Sequence, residues 1–237
     1  MQEIHYISSD HLNLSKINDI ISTNIPIALS EDAKGKITNC RDFLDGKISN
    51  NEKPIYGINT GFGALHNVKI SKENLKVLQE NLVMSHACGT GEEVPSEIVK
   101  LMLFLKIQSL SYGHSGVQLD TVNRLIDFYN NDIFPVIYTQ GSLGASGDLS
   151  PLAHLALPLI GKGKVIYKGI RYSGQEILDK FAWKKINLQS KEGLALLNGT
   201  QFMSAYGVFV LIKSFKLSYL SDLFGALSLD AFDGTIE

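Results

Sequence analysis

A mainly α fold is predicted by three features of the chain. Apolar residues recur at helical spacing, first as Leu75, Leu78, Leu82 and Val83, then as Ile98, Leu101, Leu105 and Ile107, which is the pattern of helices that bury a face. From about Thr200 to Leu229 the sequence is again long, apolar and helical in pattern. Strand signals are short by comparison, the clearest being a hairpin over Val165-Ile166-Tyr167-Lys168-Gly169-Ile170-Arg171-Tyr172 that turns at Lys168-Gly169.

Taken in order, residues 8–48 read as modest helices joined by loops, with Pro26 interrupting the early run. Lys53-Pro54-Ile55-Tyr56 is extended as it enters a glycine-rich loop at 57–63. An amphipathic helix follows over 72–87. The next starts near Pro95-Ser96-Glu97 and runs to about Ser111, and a third covers about Leu119 to Asn130. Asp148 or Ser150 is a fitting N-cap, with Pro151 at the first helical position, for a helix through Leu159. The chain shows no internal repeat and no low-complexity segment.

The bulk numbers narrow the function class. A chain of 237 residues suits one large domain or two small ones, at ~150 residues per domain. Its 44% hydrophobic and 19% charged content fits a globular protein with a substantial core. Lys plus Arg (22) nearly cancels Asp plus Glu (24), so a net charge of −2 offers no basic field for nucleic acid or a membrane surface. The start, Met1-Gln2-Glu3-Ile4-His5, has neither a basic region nor an apolar core of a signal peptide. Two cysteines, Cys40 and Cys88, make no disulfide framework, and a reduced, cytoplasmic protein is expected. Residues 193–212 carry no charge, long enough to cross a bilayer. They include Asn198, Thr200, Gln201, Ser204 and glycines, which suits a buried helix preceded by a polar loop.

Residues 141–151 read Gly-Ser-Leu-Gly-Ala-Ser-Gly-Asp-Leu-Ser-Pro. The glycine spacing is neither that of a dinucleotide site nor that of a P-loop, and Gly144-Ala145-Ser146-Gly147-Asp148 is no nucleophile elbow. A plain turn accounts for the spacing alone. Within it, however, Ala145-Ser146-Gly147 is backbone able to react with itself. The Gly147 amide nitrogen can attack the Ala145 carbonyl carbon where the chain is sharply folded and free of bulk. Loss of water from the ring and from the Ser146 side chain then leaves a methylidene-imidazolone, an electrophile made from the chain alone. Set at a helix N-terminus, the loop also has unpaired amide N–H groups nearby that favour negative charge.

Taken together with Tyr56-Gly57-Ile58-Asn59-Thr60-Gly61-Phe62-Gly63, Ser85-His86-Ala87-Cys88-Gly89 and Glu192-Gly193-Leu194-Ala195-Leu196-Leu197-Asn198-Gly199-Thr200, this string resembles the aromatic amino acid ammonia-lyases, the histidine-specific branch nearest. The resemblance implies an amino-terminal helical domain with small β elements carrying the imidazolone loop (1–195), then the start of a long central helical bundle (196–237). It also implies that the chain is an amino-terminal half, members of the family being roughly twice this length. Phe209, Leu211, Phe215, Leu220, Leu223 and Phe224 would then form an exposed patch lacking its partners.

By residue alone, Tyr56 is a half-buried aromatic packing on a loop. The resemblance makes it the base that removes the β-proton, for which a phenol of reference pKa ~10 needs nearby donors or positive charge. His86 alone is a satisfied structural histidine; the resemblance turns it toward the substrate ring, to hydrogen-bond an imidazole or a phenol hydroxyl. Asn198 alone is a cap or turn residue; the resemblance gives it the imidazolone oxygen or the substrate amine. Asp148 reads as a helix cap or a tightener of the loop, and Cys88 as a small buried apolar residue. The histidines show no metal-ligand spacing. The implied reaction is non-oxidative deamination, first L-histidine to urocanate, with tyrosine or phenylalanine ammonia-lyase and then an aminomutase as alternatives. Neither pyridoxal phosphate nor metal is required, and the full-length assembly implied is a homotetramer. A non-catalytic helical fragment is the rival of another class.

Overall fold

The computed structural model describes residues 3–50, 55, 57–58, 60, 70 and 74–235. Tyr56, and most of the extended segment and glycine-rich loop expected over 53–63, lie outside the described residues.

The chain starts with β1 (His5–Ile7), helix α1 (Leu14–Ser22), β2 (Ile27–Leu29) and helix α2 (Glu31–Asn50). The two strands pair in parallel, His5 opposite Ile27 and Ile7 opposite Leu29, with α1 as their crossover. The reading of 8–48 as helices joined by loops misses β2, because a strand of three residues is too short for alternation to register. Asn130 completes the edge: its Oδ1 accepts the Ile27 N–H and its Nδ2 donates to the Ile27 carbonyl, both at 2.9 Å.

Three expected helices appear close to their forecast bounds as α3 (Leu75–His86), α4 (Ser96–Ser111) and α5 (Leu119–Asn130). Helix α4 differs in character from an amphipathic surface helix. Ile98, Val99, Leu101, Met102, Leu103, Phe104, Ile107 and Leu110 are all buried, so it is covered on nearly every side, while Leu105 is only partly buried. Helices α5, α2 and α9 (Gln201–Ala231) all pack against it. Helix α4 is therefore the axis of the core.

Short strands then frame the loop of interest. Strand β3 (Thr90–Glu93) pairs antiparallel with β5 (Tyr138–Gln140), and β4 (Ile133–Pro135) with β6 (Lys164–Tyr167), which continues to β7 (Ile170–Ser173). The β6–β7 hairpin turns at Lys168-Gly169 as expected, both residues at positive φ, which a two-residue hairpin loop of this twist requires. Helix α6 (Leu149–Ala156) continues as a 3-10 turn, Leu157–Ile160. Asp148 holds its N-cap position without a side-chain cap bond, and Pro151 is its third residue rather than its first. Helix α7 (Gly174–Lys180) begins with a reciprocal Ser173–Glu176 cap, and α8 (Glu192–Leu197) leads into α9.

In α9 only Gln201 and Ala205 are buried, although the helix runs for 31 residues. Leu211, Phe215, Leu223 and Phe224 are exposed as expected; Phe209 and Leu220 are partly covered. No described helix is long and apolar enough to cross a membrane.

Candidate active site

The loop 141–148 joins β5 to α6, and two of the other singled-out strings meet around it. On one side, Thr90 pairs with Gln140 and Glu93 with Tyr138. Ser85-His86-Ala87-Cys88-Gly89, which leads into β3, is thereby laid beside the start of the loop. His154 of α6 fastens the junction: its Nε2 accepts the Gly89 N–H at 3.0 Å, and its ring meets the Tyr138 ring edge-on. On the other side, Gly147 forms a parallel bridge with Gly199, and the Asp148 N–H donates to the Gly199 carbonyl at 2.8 Å.

The contact at Gly147 admits no side chain. Its φ is +98°, and a β-carbon there would lie 2.4 Å from the Gly199 oxygen. Gly199 has φ +140°, and a β-carbon there would overlap the Gln201 Oε1. This close approach is what the two glycines permit.

Asp148 is almost completely buried, yet its carboxylate serves others rather than its own helix. Oδ1 accepts from the Ser142 hydroxyl at 2.8 Å and Oδ2 from the Met203 N–H at 3.0 Å. It thus ties the start of the loop to its end and caps the first turn of α9, where a carboxylate meets unpaired amides and the positive end of the helix. Of the two readings open in the sequence, loop tightening is what these bonds do.

Between these anchors Ala145 and Ser146 are exposed. At the flanks, the buried Ser150 hydroxyl next to Gly141 and the Gln201 Oε1 next to Gly199 have no hydrogen-bond partner. A small-residue triplet with a positive-φ glycine at its end, anchored on both flanks and bordered by unsatisfied polar atoms, fits a methylidene-imidazolone. Ala145, Ser146 and Gly147 would form it.

His86 ends α3, half-buried, with Nδ1 2.9 Å from the Leu82 carbonyl and 3.2 Å from the Ser85 hydroxyl. The carbonyl can only accept, so Nδ1 donates to it, which in the neutral tautomer leaves Nε2 as an acceptor. Asn198 is the C-cap of α8 and is exposed. Its Nδ2 donates to the Leu194 carbonyl at 3.1 Å, leaving Oδ1 outside that bond. Cys88 is exposed rather than buried, because α3 has already ended and the residue sits in the turn before β3. Among the described residues no three His, Cys, Asp or Glu side chains gather as metal ligands.

Two residues escape sequence reasoning. One is His154, the latch on Gly89. The other is Lys106 of α4, whose Nζ donates to the Ala195 carbonyl at 2.8 Å and the Asn198 carbonyl at 2.9 Å. Its signal is visible in hindsight as a lone lysine in the apolar run Leu103-Phe104-Leu105-Lys106-Ile107.

Comparison with known proteins decides the family. The profile described as "Aromatic amino acid lyase" matches residues 12–237. The chain belongs to the aromatic amino acid lyases. It is 43% identical over 230 residues to the histidine ammonia-lyase of Alkaliphilus oremlandii, a match covering 97% of this chain and 45% of that protein. The crystal structure of histidine ammonia-lyase from Trypanosoma cruzi superposes with a TM-score of 0.90 at 33% identity, over 98% of this chain and 45% of that one. Phenylalanine aminomutase from Pantoea agglomerans gives 0.85 at 33% identity, over 91% and 42%. The chain therefore spans a little under half the length of the curated relatives it matches.

In this aromatic amino acid lyase the His154 latch has a pH signature. Burial holds the imidazole below its ordinary value of 6.5, so the folded state resists a proton that the unfolded chain accepts. Stability present above 6.5 is then lost as pH falls through that value toward the lower folded one. His5 is shifted in the same direction by burial and by Lys16, so the comparison must be between variants. His154→Gln keeps an acceptor for the Gly89 N–H and cannot titrate. Melting temperatures measured from about pH 7.5 to about pH 5 should fall less steeply for His154→Gln than for the unmutated protein. Equal slopes would refute the latch.

Proposed function

We propose that this chain carries the electrophile-forming loop of an ammonia-lyase that converts L-histidine to urocanate and ammonia. The observation that supports it most is the convergence just described. Gly199 lies against Gly147, which brings the Asn198 segment to one side of Ala145-Ser146-Gly147, while the His86 segment lies on the other.

Closure of the loop would join the Gly147 nitrogen to the Ala145 carbonyl carbon and release one water, with a second leaving from Ser146. The resulting methylidene-imidazolone would supply an electrophilic carbon that activates the substrate for loss of ammonia. The chain's own residues do the rest. Asn198 would offer its amide to the group's oxygen or to the substrate amine, since a preorganised donor beside developing negative charge lowers the barrier. His86, holding its proton on Nδ1, would receive an imidazole N–H at Nε2. Tyr56, by its family position, would take the β-proton. The active unit is a homotetramer in this reading, with α9 contributing to a shared bundle.

The substrate assignment is tested with protein expressed from its complete reading frame. It should release urocanate from histidine in preference to deaminating tyrosine or phenylalanine. His86→Phe should lower turnover of histidine by roughly ten- to hundredfold, the scale of one lost polar contact in a buried site, and shift preference toward phenylalanine. Equal or better turnover of tyrosine by the unmutated protein would transfer the assignment to tyrosine. A β-amino acid product would transfer it to an aminomutase.

A further inference from the structure

Lys106 stands behind the Asn198–Gly199 backbone that borders the reactive loop, with no part in the chemistry above. Its side chain reaches from the core helix α4, the residue is 1% exposed, and among the described residues it forms no ion pair. Burying an amine without a carboxylate is costly. A methionine or leucine would sit among Leu103, Phe104 and Ile107 without that cost, so packing alone does not account for a lysine.

What the amine does is bind two carbonyls at the end of α8. The carbonyls of Ala195 and Asn198 belong to the last turn and to the residue after it, which lack amide donors further along the helix, and a donor at this end also meets the negative pole of the helix. The chain leaves helical geometry at Asn198, with φ −79° and ψ 137°. The next residue, Gly199, is the one that receives the Asp148 N–H and lies against Gly147. Two bonds from a rigid core helix therefore hold the backbone on which the reactive loop rests.

We propose that Lys106 is a positioning residue whose amine sets the Asn198–Gly199 backbone against Gly147 and so governs closure of the reactive loop. Burial lowers the amine to about 7, but both the ammonium and the neutral amine carry at least two N–H donors, so the clamp spans neutral pH. The proposal rests on the reading of Ala145-Ser146-Gly147 as a self-cyclising triplet, and its backbone half can be measured separately from that reading.

The test compares unmutated protein with Lys106→Met, which keeps the shape and loses the donors, and Lys106→Gln, which restores an amide N–H pair. Both are made in the complete reading frame. Hydrogen exchange is followed at the Asp148 amide and peptide mass over 141–151. Lys106→Met should speed exchange at Asp148 by about tenfold or more and cut the fraction lighter by two waters similarly. Amides of α5 and of the β6–β7 hairpin should be unaffected, and Lys106→Gln should recover part of both losses. Unchanged exchange at Asp148 overturns the proposal. So does uniformly faster exchange, or failure of both variants to fold, since the amine would then serve the whole core. If the unmutated protein shows no loss of water, the cyclisation reading fails, while selective exchange at Asp148 still upholds the positioning of Gly199.

Discussion

Ser146→Ala should abolish the loss of two waters from residues 141–151 and lower ammonia release by about a thousandfold or more, the scale seen when a catalytic group is removed outright. The reasoning is one of atoms. The exocyclic carbon of the electrophile can come only from the Ser146 β-carbon, after its hydroxyl leaves as water. Alanine has no leaving group there, so even a closed ring would carry a methyl in place of the reactive methylidene. The substitution adds no bulk, and Ser146 is exposed, so folding should be unaffected and the lost activity attributable to chemistry. Mass spectrometry of the loop peptide reads the modification directly. An unmodified mass in active, unmutated protein would sink this mechanism.

How far the sequence reveals this site depends on the range over which each interaction acts. Helix α5 runs Leu119–Asn130 and the hairpin turns at Lys168-Gly169, both as their local patterns predict, because helical period and turn chemistry are written in adjacent residues. The β1–β2 pair is not legible. Its partners are some twenty residues apart, and each strand is short enough to look like loop. The candidate site divides the same way. The cyclisation proposed for Ala145-Ser146-Gly147 is read from small residues in a row. Asp148 reads equally as a cap for its own helix, and only the fold shows that its carboxylate binds Ser142 and Met203 instead. Lys106 and His154 act on backbone brought from 89 and 65 residues away, and no local pattern encodes such a partner. The buried assignment for Cys88 rests on the usual preference of cysteine for the interior, and it fails because the residue lies in the connection between α3 and β3, where the fold leaves it exposed.

Residues 1–237 expressed by themselves should associate and show no lyase turnover, and α9 is the reason. Phe215, Leu217, Tyr219 and Phe224 are each 60–69% exposed. At about 100° per residue, Phe215 and Tyr219 fall on one side of the helix and Leu217 and Phe224 on the other. A helix that is apolar on opposite sides cannot be satisfied by one neighbour and belongs inside a bundle. Withdrawing a large apolar side chain from water is worth about 1.5–3 kcal/mol. Four such residues therefore rival the lower range of association costs, about 4–15 kcal/mol, and exposed Leu211, Leu223 and Leu227 add to them. An open site is also a wet one, in which water weakens the electrostatic help that Asn198 and its neighbours can give. Sedimentation should find oligomers or aggregates at micromolar concentration. Phe215→Lys combined with Phe224→Lys should shift them toward monomer, because it places charge on both apolar sides at once. A compact, soluble monomer with normal turnover would show that α9 needs no covering and that residues 1–237 suffice for the chemistry.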